Sequence, residues 1–231
     1  MRLGTALAGL LAATPLAAQE ITAARFAEPT TRYGHAVLGD AVEYGALEVD
    51  VAGQGWVTFT LPQDHVFEDV APRLWDVTGD GLPEVVVVET DMARGGALAI
   101  YGAAGKIAET PHIGTSNRWL APVGAADFDG DGLIEVAYVD RPHLAKTLRI
   151  WRFSGGDLTE VAAVRGFTNH RIGEDFISGG LRNCGNGPEM VLATAHWQEV
   201  VALRYDGDNV TVRRLGAFQG SSSFAAALNC R

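Results

Sequence analysis

Positive charge is scarce in this chain: 18 Lys and Arg stand against 28 Asp and Glu, a formal net charge of -10, and no basic cluster relieves the deficit. Nucleic acids and anionic membrane surfaces are therefore disfavoured as partners. Past the first eighteen residues no segment approaches eighteen uninterrupted apolar residues, so no stable membrane insertion is expected there. Sustained helical periodicity is also missing. No Pro/Ser-rich linker divides residues 19–231, and a single domain is expected. Enzyme motifs are sparse: there is no His-Glu-x-x-His, no Gly-x-Ser-x-Gly, no phosphate loop and no Cys-x-x-Cys.

What is present begins with residues 1–18, "MRLGTALAGLLAATPLAA", which carry one positive charge at Arg2, an apolar run from Leu3 to Ala13, a break at Pro15 and small residues at Ala17 and Ala18. That order reads as an export signal cleaved after Ala18, placing the mature chain in a periplasm or outside the cell; an uncleaved anchor is the alternative. The chain has just two cysteines, Cys184 and Cys230. Export favours a disulfide between them, and two buried free thiols are the competing reading.

The densest chemistry lies in "DFDGDGLIE", Asp127 to Glu135, and is nearly repeated in "DVTGDGLPE", Asp76 to Glu84, 51 residues earlier. The flanks keep step. "EVVVVETD" and "GALAIYG" follow the first loop, and "EVAYVDRP" and "TLRIWRF" follow the second. These are short runs of β-branched and aromatic residues bounded by Gly, Asp or Pro, which reads as strand, turn, strand. A third copy has a damaged loop, "GGLRNCGNGPE", in which Asn186, Gly187 and Glu189 stand near the places of Asp131, Gly132 and Glu135. A fourth is assembled at the N-terminus from "RYGHAVLGD", "GALEVDV" and "WVTFTLP", but lacks a first strand.

The expected fold is therefore all-β: a small closed β-propeller of four blades, each of four antiparallel strands, with the C-terminal "SSFAAALNCR" as the strand that completes the first blade. In such a ring Cys184 belongs to the fourth blade and Cys230 to the first, so their disulfide would tie the closure. At this point "YGHAVLGD", "LWDVTGDGLPEVVVVETD" and "VGAADFDGDGLIEVAYVDRP" resemble the FG-GAP (VCBS-type) repeats of integrin-alpha-like propellers. The resemblance implies a β-propeller with calcium-binding loops. Thr78 departs from that pattern in place of an aspartate, as do Glu84 and Glu135 at the last acidic position.

Alternate acids on a glycine-bridged loop suit calcium, a hard cation that takes six to eight oxygens. Asp127, Asp129, Asp131 and Glu135 would give carboxylates and Leu133 its carbonyl; Asp76, Thr78, Asp80, Glu84 and the Leu82 carbonyl would form a weaker site with one charge fewer. The metal-free alternative is an Asp-Gly turn whose carboxylates cap backbone N–H groups. One or two structural calcium ions are expected.

Crossings and hairpins on the opposite face gather His65, Arg118, Trp119, His143, His170, Arg171, His196 and Trp197. Arg118, Trp119, His143, His170, Arg171 and Trp197 are the candidate ligand residues, with solvated side chains or braces between blades as the plainer reading. The function expected is an exported, calcium-stabilised binding module for a glycan or protein ligand, without catalysis. A hydrolase or lyase acting on a sugar-containing substrate at the histidine-rich face is the alternative.

Overall fold

The computed structural model describes residues 19–231; the expected export signal lies outside the described residues. The described chain is four consecutive antiparallel units and one short helix. The first unit holds β1 (Ile21–Thr30), β2 (Glu43–Val51) and β3 (Gly55–Thr60). The second holds β4 (His65–Phe67), β5 (Arg73–Trp75), β6 (Glu84–Asp91), β7 (Gly95–Gly102) and β8 (Gly105–Glu109). The third holds β9 (Leu120–Ala126), β10 (Glu135–Asp140), β11 (Thr147–Ser154) and β12 (Asp157–Arg165). The fourth holds β13 (Phe167–Thr168), β14 (Gly180–Asn183), β15 (Pro188–Thr194), β16 (Glu199–Tyr205) and β17 (Val210–Ala217), followed by α1 (Ser221–Leu228). Short β4 pairs with both β2 and β6, so it joins the first two units into one sheet.

Side chains alternate across a strand, so an interior sheet with neighbours on both sides must be apolar on both faces. This explains "EVVVV". Val85 and Val87 of β6 pack against the first unit with Leu47 and Val49, while Val86 and Val88 pack against the third with Val136 and Tyr138. The pattern moves on one unit in β10, whose Ala137 and Val139 meet Met190, Leu192 and Leu203 of the fourth. Gly124 of β9 makes that approach possible. A Cβ there would lie 2.3 Å from Cγ of Leu181 in β14.

The two ends are finished differently. The outer face of the first unit is polar, with Arg25 Nε on Glu48 at 2.6 Å and the Thr22 hydroxyl on Asp50 at 3.0 Å. The outer face of the fourth is apolar, formed by Val191, Ala193 and Val200, and α1 covers it with Phe224 and Ala227. Two expectations are corrected here. Residues 221–228 are helix, so the C-terminal segment does not supply a strand to the first unit: three small alanines and a leucine follow a serine run, and the apolar face of the fourth sheet gives that helix a partner. The N-terminal copy also sits further upstream. Its strand is Ile21–Thr30, and "RYGHAVLGD" is mostly a loop that reaches the fourth unit, where Gly173 N–H donates to the Val37 carbonyl at 3.2 Å.

Cys184 and Cys230 form the expected disulfide, with Cα atoms 5.8 Å apart and a sequence separation of 46. Its place differs from the expected one, since it fastens the chain end to the fourth unit rather than to the first. Arg182 reinforces it by donating from Nη1 to the Ala227 carbonyl at 2.8 Å. Cross-linking a loop of this length stabilises by at most about 4 kcal/mol on the chain-entropy estimate. Cys230→Ser is expected to lower the melting temperature and to open the chain to protease between Ala217 and Ser221. A proteolysis pattern identical to wild type would show that packing alone holds α1.

Candidate functional site

The acidic loops connect β5 to β6 and β9 to β10, at the strand ends where Glu84 and Glu135 begin β6 and β10. In each, the first aspartate accepts from two glycine N–H groups: Asp76 from Gly79 and Gly81 at 2.8 and 3.0 Å, Asp127 from Gly130 and Gly132 at 2.7 and 3.0 Å. All four glycines have positive φ, between 74° and 90°, a backbone that L side chains adopt only under strain. The next acids, Asp80 and Asp131, accept from the N–H of Leu82 and Leu133 at 2.9 and 2.8 Å. Glu84 accepts from the Val77 and Thr78 N–H groups and the Thr78 hydroxyl; Glu135 accepts from Phe128 N–H at 3.0 Å.

The two loops differ in their counter-charge. Arg152, the register partner of Glu135, donates to Glu135 at 2.7 Å and also contacts Asp129 and Asp131. In the second unit the position after the Val85–Tyr101 pair is Gly102, which has no side chain to offer. Carboxylate oxygens of Asp127, Asp129 and Glu135 lie within 4.8 Å of one another. In the fourth unit Glu189 is held by Arg182 and Arg213 at 2.7 and 2.9 Å, so its degenerate loop carries its own cations.

At the other end of the strands a cavity of about 330 Å³ opens between crossing loops, with His35, Asn117, Arg118, Trp119, Arg141 and His143 among its walls. Its size is that of a small-molecule site. The floor is rigid. Trp119 is 2% exposed and donates its indole N–H to the Glu68 carbonyl at 2.7 Å, and Asn117 N–H donates to the Tyr33 hydroxyl at 2.7 Å. His35 Nδ1 lies 2.5 Å from Oε1 of the fully buried Glu68, whose other oxygen accepts from Thr90. Arg141 is neutralised by two bonds to Asp140, at 2.8 and 2.9 Å. Arg118 has no carboxylate partner among the described residues and donates only to its neighbour's carbonyl, that of Asn117.

A hydrogen-bond chain fixes the histidine tautomers. His170 Nε2 must donate to the Glu174 carbonyl at 2.9 Å, which leaves Nδ1 to accept from His143 Nε2 at 2.9 Å. Buried His170 thus orients His143 rather than facing a ligand itself.

Residues 76–138, from the first acidic loop into β10, match the model of the FG-GAP-like repeat. The chain carries an FG-GAP-type repeat. No curated protein gave a match to the chain. The FG-GAP match contains both acidic loops and, between them, the Asn117–Trp119 wall of the cavity.

The remaining candidates lie elsewhere. Arg171 stacks on Trp197 at 4.3 Å, and Trp197 packs on Phe218 and Phe224 at 5.0 and 6.2 Å, beside α1. Neither lines the cavity. His196 is exposed in the β15–β16 turn, and His65 faces Asp91 across β4 and β6, so the four histidines of this face do not converge. His35 and Tyr33 went unnoticed because their segment reads as a strand by composition; a histidine and a tyrosine flanking a glycine in a polar run were the available signal.

Buried acids cluster behind the cavity wall. Asp69 is matched by Arg73 at 2.6 and 2.8 Å, and Glu68 by His35. Glu43 has no such partner among the described residues: burial, with Glu68, Asp40 and Asp69 nearby, pushes its pKa from 4.5 up to about 9. The native state therefore keeps a proton that the unfolded chain releases, and stability falls as pH rises from about 4.5 towards 9. His143 behaves oppositely. Burial, with His170 nearby, lowers its pKa to about 4, so acid costs stability as pH falls from 6.5 towards 4. Glu43→Gln is expected to melt above wild type at pH 8, with the gap closing near pH 4. Parallel pH profiles for the two proteins would show that Glu43 ionises freely in the fold.

Proposed function

We propose that the chain is an exported, propeller-like binding module whose ligand seats in the cavity at Arg118, with calcium bracing the acidic loops at the opposite end. The observation that carries this reading is the cavity itself: a rigid aromatic floor, two histidine walls, and in Arg118 a cation without a carboxylate partner in an otherwise acidic protein. Such a mixture of apolar surface and few oriented polar groups is typical of small-ligand sites. An unmatched guanidinium favours a carboxylate, sulfate or phosphate on the ligand, and an acidic glycan is the class we propose. The disulfide supports an oxidising compartment, and no helix among the described residues is long and apolar enough to cross a membrane.

Calcium is proposed for both loops, with a difference: among the described residues only the second brings three carboxylates within 4.8 Å of one another. Asp127, Asp129 and Glu135 converge, but Arg152 competes for Asp129 and Glu135. Asp76, Thr78, Asp80 and Glu84 offer one charge fewer and face no arginine. Both sets keep Asx-type caps to backbone N–H groups, so each loop holds its shape before a cation arrives.

A second reading has one observation in its favour. Glu68 holds His35 Nδ1 from a fully buried position, which leaves Nε2 as a base at the cavity wall. This dyad would serve a hydrolase or lyase acting on the same class of sugar.

Arg118→Ala is expected to weaken binding of an acidic glycan on an array by at least tenfold with no change in melting temperature; equal binding would remove the cavity from the proposal. His35→Ala separates the two readings. Retained binding with lost glycan cleavage would favour the enzyme, and retained binding with no cleavage in either protein the binding module. For the loops, calcium at a hundredfold excess over Kd should stabilise by about 2.7 kcal/mol per site relative to chelator. Arg152→Ala should lower the chelator melting temperature and raise calcium affinity, while Asp129→Ala should abolish that gain. Superimposed melting curves in chelator and calcium would dismiss metal from both loops.

A further inference from the structure

A second cluster lies apart from the acidic loops and has different chemistry. His65 opens β4, Asp91 closes β6, and the two are register partners across that strand pair. His112 belongs to the segment after β8, which is laid along the β6–β7 turn by Gly114 N–H donating to the Arg94 carbonyl at 2.7 Å and Ile113 N–H to the Gly96 carbonyl at 3.2 Å. One ligand atom from each of His65, Asp91 and His112 lies within 4.8 Å of the other two.

The ring nitrogens settle what this cluster can take. His112 Nδ1 lies 2.7 Å from the Gly95 carbonyl, which can only accept, so Nδ1 carries the proton and Nε2 is a free lone pair. His65 Nδ1 lies 2.8 Å from the Asp64 carboxylate and is fixed in the same tautomer, again leaving Nε2 free. That Nε2 stands 3.8 Å from Asp91 Oδ2. Two acceptors therefore face each other with a ring nitrogen of His112 within 4.8 Å of the pair's residues, and each imidazole is held by an oxygen at Nδ1, as metal-bound histidines are oriented through the nitrogen away from the metal. Ligand atoms of a tetrahedral zinc ion stand roughly 3.3 Å apart, given metal distances of about 2.0–2.2 Å.

We propose that His65 Nε2, His112 Nε2 and an Asp91 carboxylate oxygen bind a zinc-class divalent cation, with Asp64 and the Gly95 carbonyl orienting the imidazoles. Two nitrogens and one oxygen suit zinc and exclude the hard cations expected of the acidic loops. Three protein ligands leave the fourth position to water or to a ligand atom from outside. Arg94, whose Nε lies 2.6 Å from Asp91 Oδ2, is the competitor for that oxygen; its side chain is 57% exposed and free to turn outwards. The ion would tie β4, the β6–β7 turn and the segment after β8 into one node.

The test is titration of the full chain with zinc, in buffer with excess calcium to saturate oxygen-only loops, followed by cobalt substitution to read the coordination geometry. One equivalent of zinc and a tetrahedral cobalt spectrum are expected. His65→Ala and His112→Ala should each abolish binding, and Asp64→Ala should weaken it by roughly 10- to 100-fold as an orienting group. His196→Ala, in an exposed turn, is the control and should bind as wild type does. Arg94→Ala should bind more tightly. Unaltered binding in the His65→Ala His112→Ala double variant, or no binding by wild type, would overturn the site.

Discussion

Burial on both faces is the constraint from which the rest of this structure follows. A sheet with neighbours on either side has no solvated face, so β6, β10 and β15 must carry apolar residues at odd and even positions alike, and they do. Polar chemistry is thereby confined to strand ends. The acidic loops lie at one end and the cavity and histidine clusters at the other, separated by the length of the strands. The same constraint makes the two outer units exceptional: one is polar outside, the other is covered by a helix.

The three related loops show one electrostatic problem met in three ways. Each unit needs a carboxylate at the start of its second strand to hold the loop's N–H groups. Glu84 has only hydrogen bonds from Val77 and Thr78, and burial raises its pKa. Glu135 adds the guanidinium of Arg152, and Glu189 has two arginines that draw its pKa down despite burial. From the second unit to the fourth the arginines on this glutamate rise from none to one to two, and the fourth loop has lost its aspartates. A mobile cation is correspondingly least needed where arginine is most abundant.

This also accounts for what the sequence could and could not convey. The period of 51, the strands after each loop and the cysteine pair are legible because they depend on local pattern or on a count too small for alternatives. The C-terminal segment was expected to be a strand because ring closure required one, whereas "SSSFAAAL" itself has the alanine content of a helix. The cavity was half legible. Arg118, Trp119 and His143 stand on it, but His35 reaches it from the loop after β1 across a long stretch of fold, and no spacing rule encodes that approach. Arg171 and Trp197 are adjacent for a different reason, as a cation over an aromatic ring beside α1.

Packing between neighbours along the chain has a consequence for how the protein comes into being. Each sheet completes the burial of the one before it and exposes a fresh apolar face for the next, so contacts accumulate in the order of synthesis and no distant strand has to be awaited. Among the described residues the outer face of the fourth unit is met by a helix and not by another sheet. Without α1 the surface of Val191, Ala193 and Val200 would stand open to any other sheet that meets it. The segment from Ser221 to Cys230 is in this sense a stopper against polymerisation, and the disulfide to Cys184 ties it down.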